Sequence, residues 1–596
     1  MSEPALYLRA AAALRRNNGQ WSAYNAASHC VVLAGPGSGK TKTLTIKMAR
    51  VLAEEVEAPR GVACITYNNE CARELATRLD ALGVQRRNRV FIGTVHSFAL
   101  TQIILPYVRT AEIDVPPGFR VATQAAQRAA LEVAYDSVID RGEDPHRHWR
   151  FTMDRYRRSH LDREAEGWRE DPETASLIEA YESELRRHGL IDFDDMPILA
   201  VRAMRGHPWV QRAILAKYPV LFVDEYQDLG SALHRMVMGL CFTTGVRLFA
   251  VGDVDQSIYG FTGANPTLLQ RLAARPDVEV VRLRLNYRSG AAIVTASEYA
   301  LGEERGYEVP EGAPEGMVYF HPRPGDFSLH ADHLFAQILP EAFERTGVRQ
   351  GGVGVLYQAA WIGDFVAASA RNHGYEIIRA DTNALYPRGS PLMRWLESCA
   401  TWCCGGWRRG KPRFGTLSVD GQRLFAEAIG TPDQRLGFQR LLLGVVWNRR
   451  QPAQPLAGWL SGIQTELLDW HFERCRSLDE ERALLVAFIR RTQAGGDADG
   501  MTLAQFAGFG EGGDRISLST LHSAKGREFE IVVLFGMDNG RVPRTGAGPA
   551  ERSESRRSFY VGFTRAKKEL HIVYSQGNPS PFVREVQQQL DDSREH

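Results

Sequence analysis

The chain has 596 residues, too many for one hydrophobic core, so several domains are expected. Its 44% hydrophobic and 24% charged residues are ordinary for a globular protein, and 72 Lys plus Arg against 71 Asp plus Glu leave a net charge of +1, so any polyanion binding must rest on local clusters. No apolar run approaches the ~20 residues of a membrane span, and "MSEPALYLRAAAALRR" reverses the charge order of a signal peptide, which predicts a cytoplasmic protein with no membrane partner.

The first chemical signal lies at Ala34–Thr41, "AGPGSGKT". The β-branched run "HCVVL" before it reads as a buried strand, and the segment after it has helical spacing. Gly35, Gly37 and Gly39, with Pro36 and Ser38 between them, let the backbone turn and aim N–H groups at phosphate oxygens. The helix N-terminus adds to the attraction. Lys40 is placed to reach the β- and γ-phosphates of ATP, and the Thr41 hydroxyl to bind Mg2+. Gln20, fifteen residues before Gly35, offers a primary amide that can donate and accept at the adenine edge.

Strand-like runs then alternate with helical ones: "GVACITYN", "RVFIGTVHSF", "PVLFVDEYQD", "RLFAVGD" and "VEVVRLRLNYRS". This is the rhythm of a parallel α/β sheet, interrupted between about 110 and 195 by a polar, helix-forming segment. In "LFVDEYQD", Asp224 is the second candidate Mg2+ ligand and Glu225 the candidate general base. Gln256 in "GDVDQSIYG" can touch both the attacking water and the γ-phosphate. In "LNYRS", Tyr287 can stack on a base and Arg288 can reach a phosphate. A second α/β region begins near 315 and resumes near 514. The stretch between, about 388–505, holds six of the eleven tryptophans. Cysteines cluster only in "CATWCC", which lacks metal-site spacing and reads as buried thiols.

Taken in order, Gln20, "AGPGSGKT", "ITYNNECARELATRL", "IGTVHSF", "FVDEYQD", "VGDVDQSIYGFTGA", "LNYRS", "TLHSAKGREFE" and "YVGFTRAKKEL" resemble the superfamily 1A DNA helicases of the UvrD/Rep/PcrA type. The resemblance implies an α/β fold of two RecA-like parallel-sheet motor domains, each with a mainly helical insert, and ATP between them. It implies a first motor domain from 1–110 and 196–290 with insert 111–195, and a second from 291–387 and 506–596 with insert 388–505. It adds Arg565 as an arginine finger from the second domain and Glu528 near the ribose. It assigns Tyr67, Tyr259 and Phe261 to base stacking, and His96 and His522 to strand contact or coupling. Thr262 stands where the family usually has Arg, and Arg527 where Leu is usual.

The implied activity is a DNA-dependent ATPase that moves 3′ to 5′ on single-stranded DNA and acts at single-strand/duplex junctions. An alternative is an ATP-gated DNA-binding regulator, or a subunit working with a separate nuclease in repair or anti-phage defence. A fused nuclease is disfavoured because about thirty residues follow "FTRAKK". Two basic, aromatic stretches, Pro145–His160 and Gly405–Arg413, are further candidates for gripping nucleic acid.

Overall fold

The computed structural model describes residues 6–66, 69–84, 89–161, 163, 165–258, 260, 265–381, 384, 386–387, 390–496, 498–507 and 514–595. The chain forms two compact units. One comprises Met1–Tyr319, Asn539–Leu570 and Ser580–His596; the other comprises Phe320–Asp538 and His571–Pro579. Residues 539–570 and 580–596 therefore group with the N-terminal half, although they follow the second unit in sequence.

The first unit is built on six strands: β1 (Cys30–Ala34), β2 (Val62–Thr66), β3 (Val90–Thr94), β6 (Val220–Val223), β7 (Arg247–Gly252) and β8 (Glu279–Leu283). The small strands β4 (Arg120–Val121) and β5 (Leu190–Ile191) pair separately. The large sheet has the order β3-β2-β6-β7-β1-β8 and is parallel throughout. Alternate residues face opposite ways along each strand. Val31, Ile65, Leu221, Val223 and Ala250 join one buried cluster, while Cys30, Val32, Cys64, Phe222 and Val251 join another. Both faces are covered, as parallel sheets require. That is why the strands are near-continuous in apolar residues.

The insert at 111–195 is a three-helix layer, Gln124–Val138, Trp149–Ser159 and Pro172–Arg187, around Leu131, Tyr135, Trp168 and Tyr181. The second unit carries the parallel run β11 (Ile377–Arg379), β12 (Ile516–Thr520), β10 (Val353–Tyr357) and β13 (Phe529–Phe535). Its sheet continues into β14 (Ala566–Ser575) and β9 (Met317–Arg323). Among the described residues, 391–507 form a helical insert with a separate core that buries Trp395, Trp402 and Trp459. The fold is thus α/β, with two RecA-like parallel sheets and a helical insert in each.

Candidate nucleotide site and strand-contact residues

The neighbouring strands β6, β7 and β1 end at the same edge of the first sheet, where open α/β sheets bind ligands. The glycine loop follows β1 and runs into the helix Lys40–Arg50. Gly37 and Gly39 have φ of +68° and +79°, the left-handed region. A Cβ at Gly37 would also lie 2.4 Å from Asn286 Oδ1, and one at Gly39 2.6 Å from Gln20 Nε2. Ser38 Oγ donates to the Gly35 carbonyl at 2.7 Å, closing the turn; Pro36 is buried and Thr41 half-buried at the helix start. Lys40 Nζ lies 3.4 Å from the Ala34 carbonyl and 3.7 Å from Asp253 Oδ2.

Gln20 sits on the helix Asn18–Asn25, whose cap Asn17 accepts from the Gln20 N–H. Its Nε2 donates to the Ser38 carbonyl at 2.8 Å, so the amide braces the loop directly. Asn17 also donates to the Tyr287 hydroxyl at 3.1 Å. The Tyr287 N–H donates to the Gly37 carbonyl at 2.9 Å, while the side chain stays 49% exposed, with ring area free to stack. Asn286 Oδ1 accepts from the N–H groups of Arg288 and Ser289 and shapes this turn.

Asp224 follows β6 and is buried; burial first, and then the adjacent Glu225, push its carboxyl up to about 7, while Lys40 pulls the other way. Glu225 has φ +52°, a strained backbone for a non-glycine residue, and its carboxylate accepts from Gln227 Nε2 at 2.6 Å. Gln227 Oε1 in turn accepts from the Asp253 N–H at 2.9 Å. Asp253, after β7, is lifted to about 6 by burial, against the pull of Lys40. Its Oδ2 accepts from Gln256 Nε2 at 2.9 Å, and Gln256 Oε1 accepts from Arg565 Nη2 at 3.3 Å. Arg565 is buried in the same unit, at the end of the helix Pro549–Phe563. Arg288 Nη1 donates to the Thr564 carbonyl at 2.8 Å beside it. One polar chain therefore runs Lys40–Asp253–Gln256–Arg565. Gln227 and Asn286, which link the motifs to one another, were missed in the sequence; the only signals were an amide inside "VDEYQD" and an asparagine before "YRS".

His96 is half-buried, and burial lowers its pKa. Its ring meets the edge of Phe193, 56% exposed, at 5.9 Å between centroids. This aromatic is a third residue that sequence reading passed over. In the second unit, His522 lies half-buried in the turn after β12 with its pKa lowered by burial, and Glu528 is exposed just before β13. Tyr67, Tyr259, Phe261 and Thr262 lie outside the described residues. In the basic stretch Pro145–His160, Arg157 is fully buried and pairs with Glu182, Asp192 and Asp195, and Arg158 pairs with Asp194, whereas Arg147, Phe151 and Arg155 stay exposed. The cysteines of "CATWCC" are free thiols, Cys399 and Cys403 buried and Cys404 half-buried.

A parallel sheet with a glycine loop after one strand and buried acids after the next two strands on one side of it defines the RecA-like class of P-loop folds. Residues 16–277 match the UvrD/REP helicase N-terminal domain, and residues 475–577 match the UvrD-like helicase C-terminal domain. The chain belongs to the UvrD/REP family of helicases. It is 26% identical to the ATP-dependent DNA helicase UvrD2 of Mycobacterium tuberculosis, over 91% of this chain and 76% of that protein. It is 25% identical to the ATP-dependent DNA helicase Rep of Escherichia coli K12 (94% and 90%) and to PcrA of Bacillus subtilis 168 (95% and 84%).

Proposed function

We propose that this chain is an ATP-driven motor that translocates 3′ to 5′ on single-stranded DNA and acts at single-strand/duplex junctions. The observation that carries the reading is the polar chain from Lys40 through Asp253 and Gln256 to Arg565. It links the phosphate loop to the proposed arginine finger in four residues. In this reading Lys40 neutralises the β- and γ-phosphates, and Gln256 positions the attacking water. Glu225, its carboxylate oriented by Gln227, takes the proton. Arg288 and Arg565 stabilise charge as the phosphoryl group leaves. Gln20 and Tyr287 hold the base side, with Glu528 toward the ribose. Thr41 and Asp224 would hold Mg2+; bound there, the ion would screen the phosphate charge. A buried carboxyl raised by a like-charged neighbour fits a cation. Tyr67, Tyr259, Phe261, His96 and His522 form the proposed strand track, to which we add Phe193.

The test is ATP turnover with and without single-stranded DNA, together with strand displacement on duplexes carrying a 3′ or a 5′ tail. DNA-stimulated turnover with displacement from the 3′-tailed duplex is expected. Turnover indifferent to DNA, or displacement only from the 5′-tailed duplex, overturns the assignment.

A further inference from the structure

The helix Pro432–Trp447 in the second insert is apolar on two opposite sides. Phe438, Leu442, Val445 and Val446 are buried in the insert core. At 100° per residue, Leu436, Arg440, Leu443 and Trp447 fall within an arc of about 60° on the other side. Leu436, Leu443 and Trp447 are 46%, 41% and 45% exposed. A surface helix ordinarily turns polar residues outward, so this face is unmatched.

The stripe ends in a tryptophan–arginine cluster. Trp447 meets Trp407 edge-on at 5.5 Å between centroids, and the Arg450 guanidinium lies 3.3 Å from the Trp447 centroid. Arg408 lies 4.7 Å from the Trp407 centroid. Among the described residues Arg408, Arg440 and Arg450 make no ion pair, whereas the adjacent Arg449 is held by Glu466. This contrasts with the first insert, where Arg157 and Arg158 are consumed internally.

We propose that this outward face docks a protein segment that is acidic and carries leucine or aromatic side chains at helical spacing. The aliphatic residues decide between classes of partner. Phosphates and bases gain from arginine and tryptophan, but exposed leucines at 436 and 443 gain only against another apolar surface. Tryptophan and arginine are the residue types that dominate interface energies, and the uncompensated guanidinium groups ask for carboxylates opposite.

The test uses the full chain and a fluorescein-labelled peptide of about 18 residues, with leucines at helical i, i+3, i+4 and i+7 spacing on a glutamate background. Its lysine counterpart and a short DNA duplex are titrated in parallel. The glutamate peptide is expected to bind and the lysine peptide not to. Leu443→Glu and Trp447→Ala should each weaken the glutamate peptide at least about tenfold, and leave duplex affinity unchanged. Leu443 is exposed, so its variant tests the face even where Trp447→Ala disturbs the cluster. Three results overturn the proposal: no binding of the glutamate peptide at about 1 mM, a millimolar-or-weaker interaction; peptide affinity in both variants equal to that of the unsubstituted chain; or duplex affinity falling in step with peptide affinity.

Discussion

Glu225 is strained and oriented at once: its φ of +52° aims the side chain, and Gln227 fixes one carboxylate oxygen. Glu225→Gln keeps shape and hydrogen bonding but cannot take a proton. It should retain ATP and DNA binding while turnover falls about 100-fold or more, measured as steady-state kcat. Near wild-type turnover would remove Glu225 from the reaction. Asp224 supports a second prediction, about stability. Its folded carboxyl sits near 7 against 3.8 for an unperturbed aspartate, so the folded state binds more protons across that interval. Stability from this group is full below the lower value and is lost as pH rises through the higher one. In chelator, Asp224→Asn should therefore raise the thermal midpoint at pH 8 and lose that advantage by pH 4, while abolishing turnover. A lower midpoint at pH 8 would contradict the burial argument. These residues were legible in the sequence because their signals are local: a loop after a strand, two acids after a strand. Gln227 and Asn286 were not, because their work is to join segments distant in sequence.

At the scale of elements, the first insert divides its basic stretch between core and surface. Of the arginines and aromatics at 145–160, Arg147, Phe151 and Arg155 are exposed, while Trp149 packs inward and Arg157 serves three carboxylates. The carboxylates lie 25 to 38 residues downstream, beyond the reach of any local pattern. Asp192 and Asp195 stand where the chain leaves the insert for the helix Asp195–Gly206, so this hub ties the insert to its exit. Arg157 holds Asp192 down to about 2 against the opposing effect of burial. The Asp192 contribution is present above its ordinary value and is lost as pH falls through 2. Arg157→Met removes the charge but keeps most of the volume, leaving buried carboxylates without their main partner. It should cost about 3–5 kcal/mol, read as the loss of hydrogen-exchange protection in 124–187. Arg157→Lys should rescue little, because one ammonium cannot reproduce the forked contacts to Asp192. Unchanged protection in Arg157→Met would mean that the hub is dispensable.

At the scale of the molecule, the order of the sequence and the order of packing diverge. Two parallel sheets and their inserts could be read from strand rhythm and composition, but not the membership of residues 539–570 and 580–596 in the first unit. Strand and helix patterns report an element's own faces, not which distant element covers them. The helix Pro549–Phe563 places Tyr560 and Val561 against Ile258 and Leu301, and Ser289 Oγ donates to the Ala566 carbonyl at 2.7 Å. Phe582, on the last helix, packs on Phe559, and Arg556 pairs with Glu585. The first unit thus closes on segments that follow more than two hundred intervening residues. A fragment ending at Tyr319 should lack a cooperative thermal transition, because it exposes the apolar surface around Ile258 and Leu301 and leaves Ser289 and Arg288 without their carbonyl partners. Supplying residues 539–596 as a separate polypeptide should restore a transition and raise ATP affinity, since Arg565 then reaches Gln256 again. The check is calorimetry on the fragment alone and on the mixture, with nucleotide titrated into both. If the fragment melts cooperatively and binds ATP as tightly as the full chain, the C-terminal segments are attachments to a self-sufficient domain. If only the mixture does so, the nucleotide site is completed only once residues 539–596 have joined the first unit.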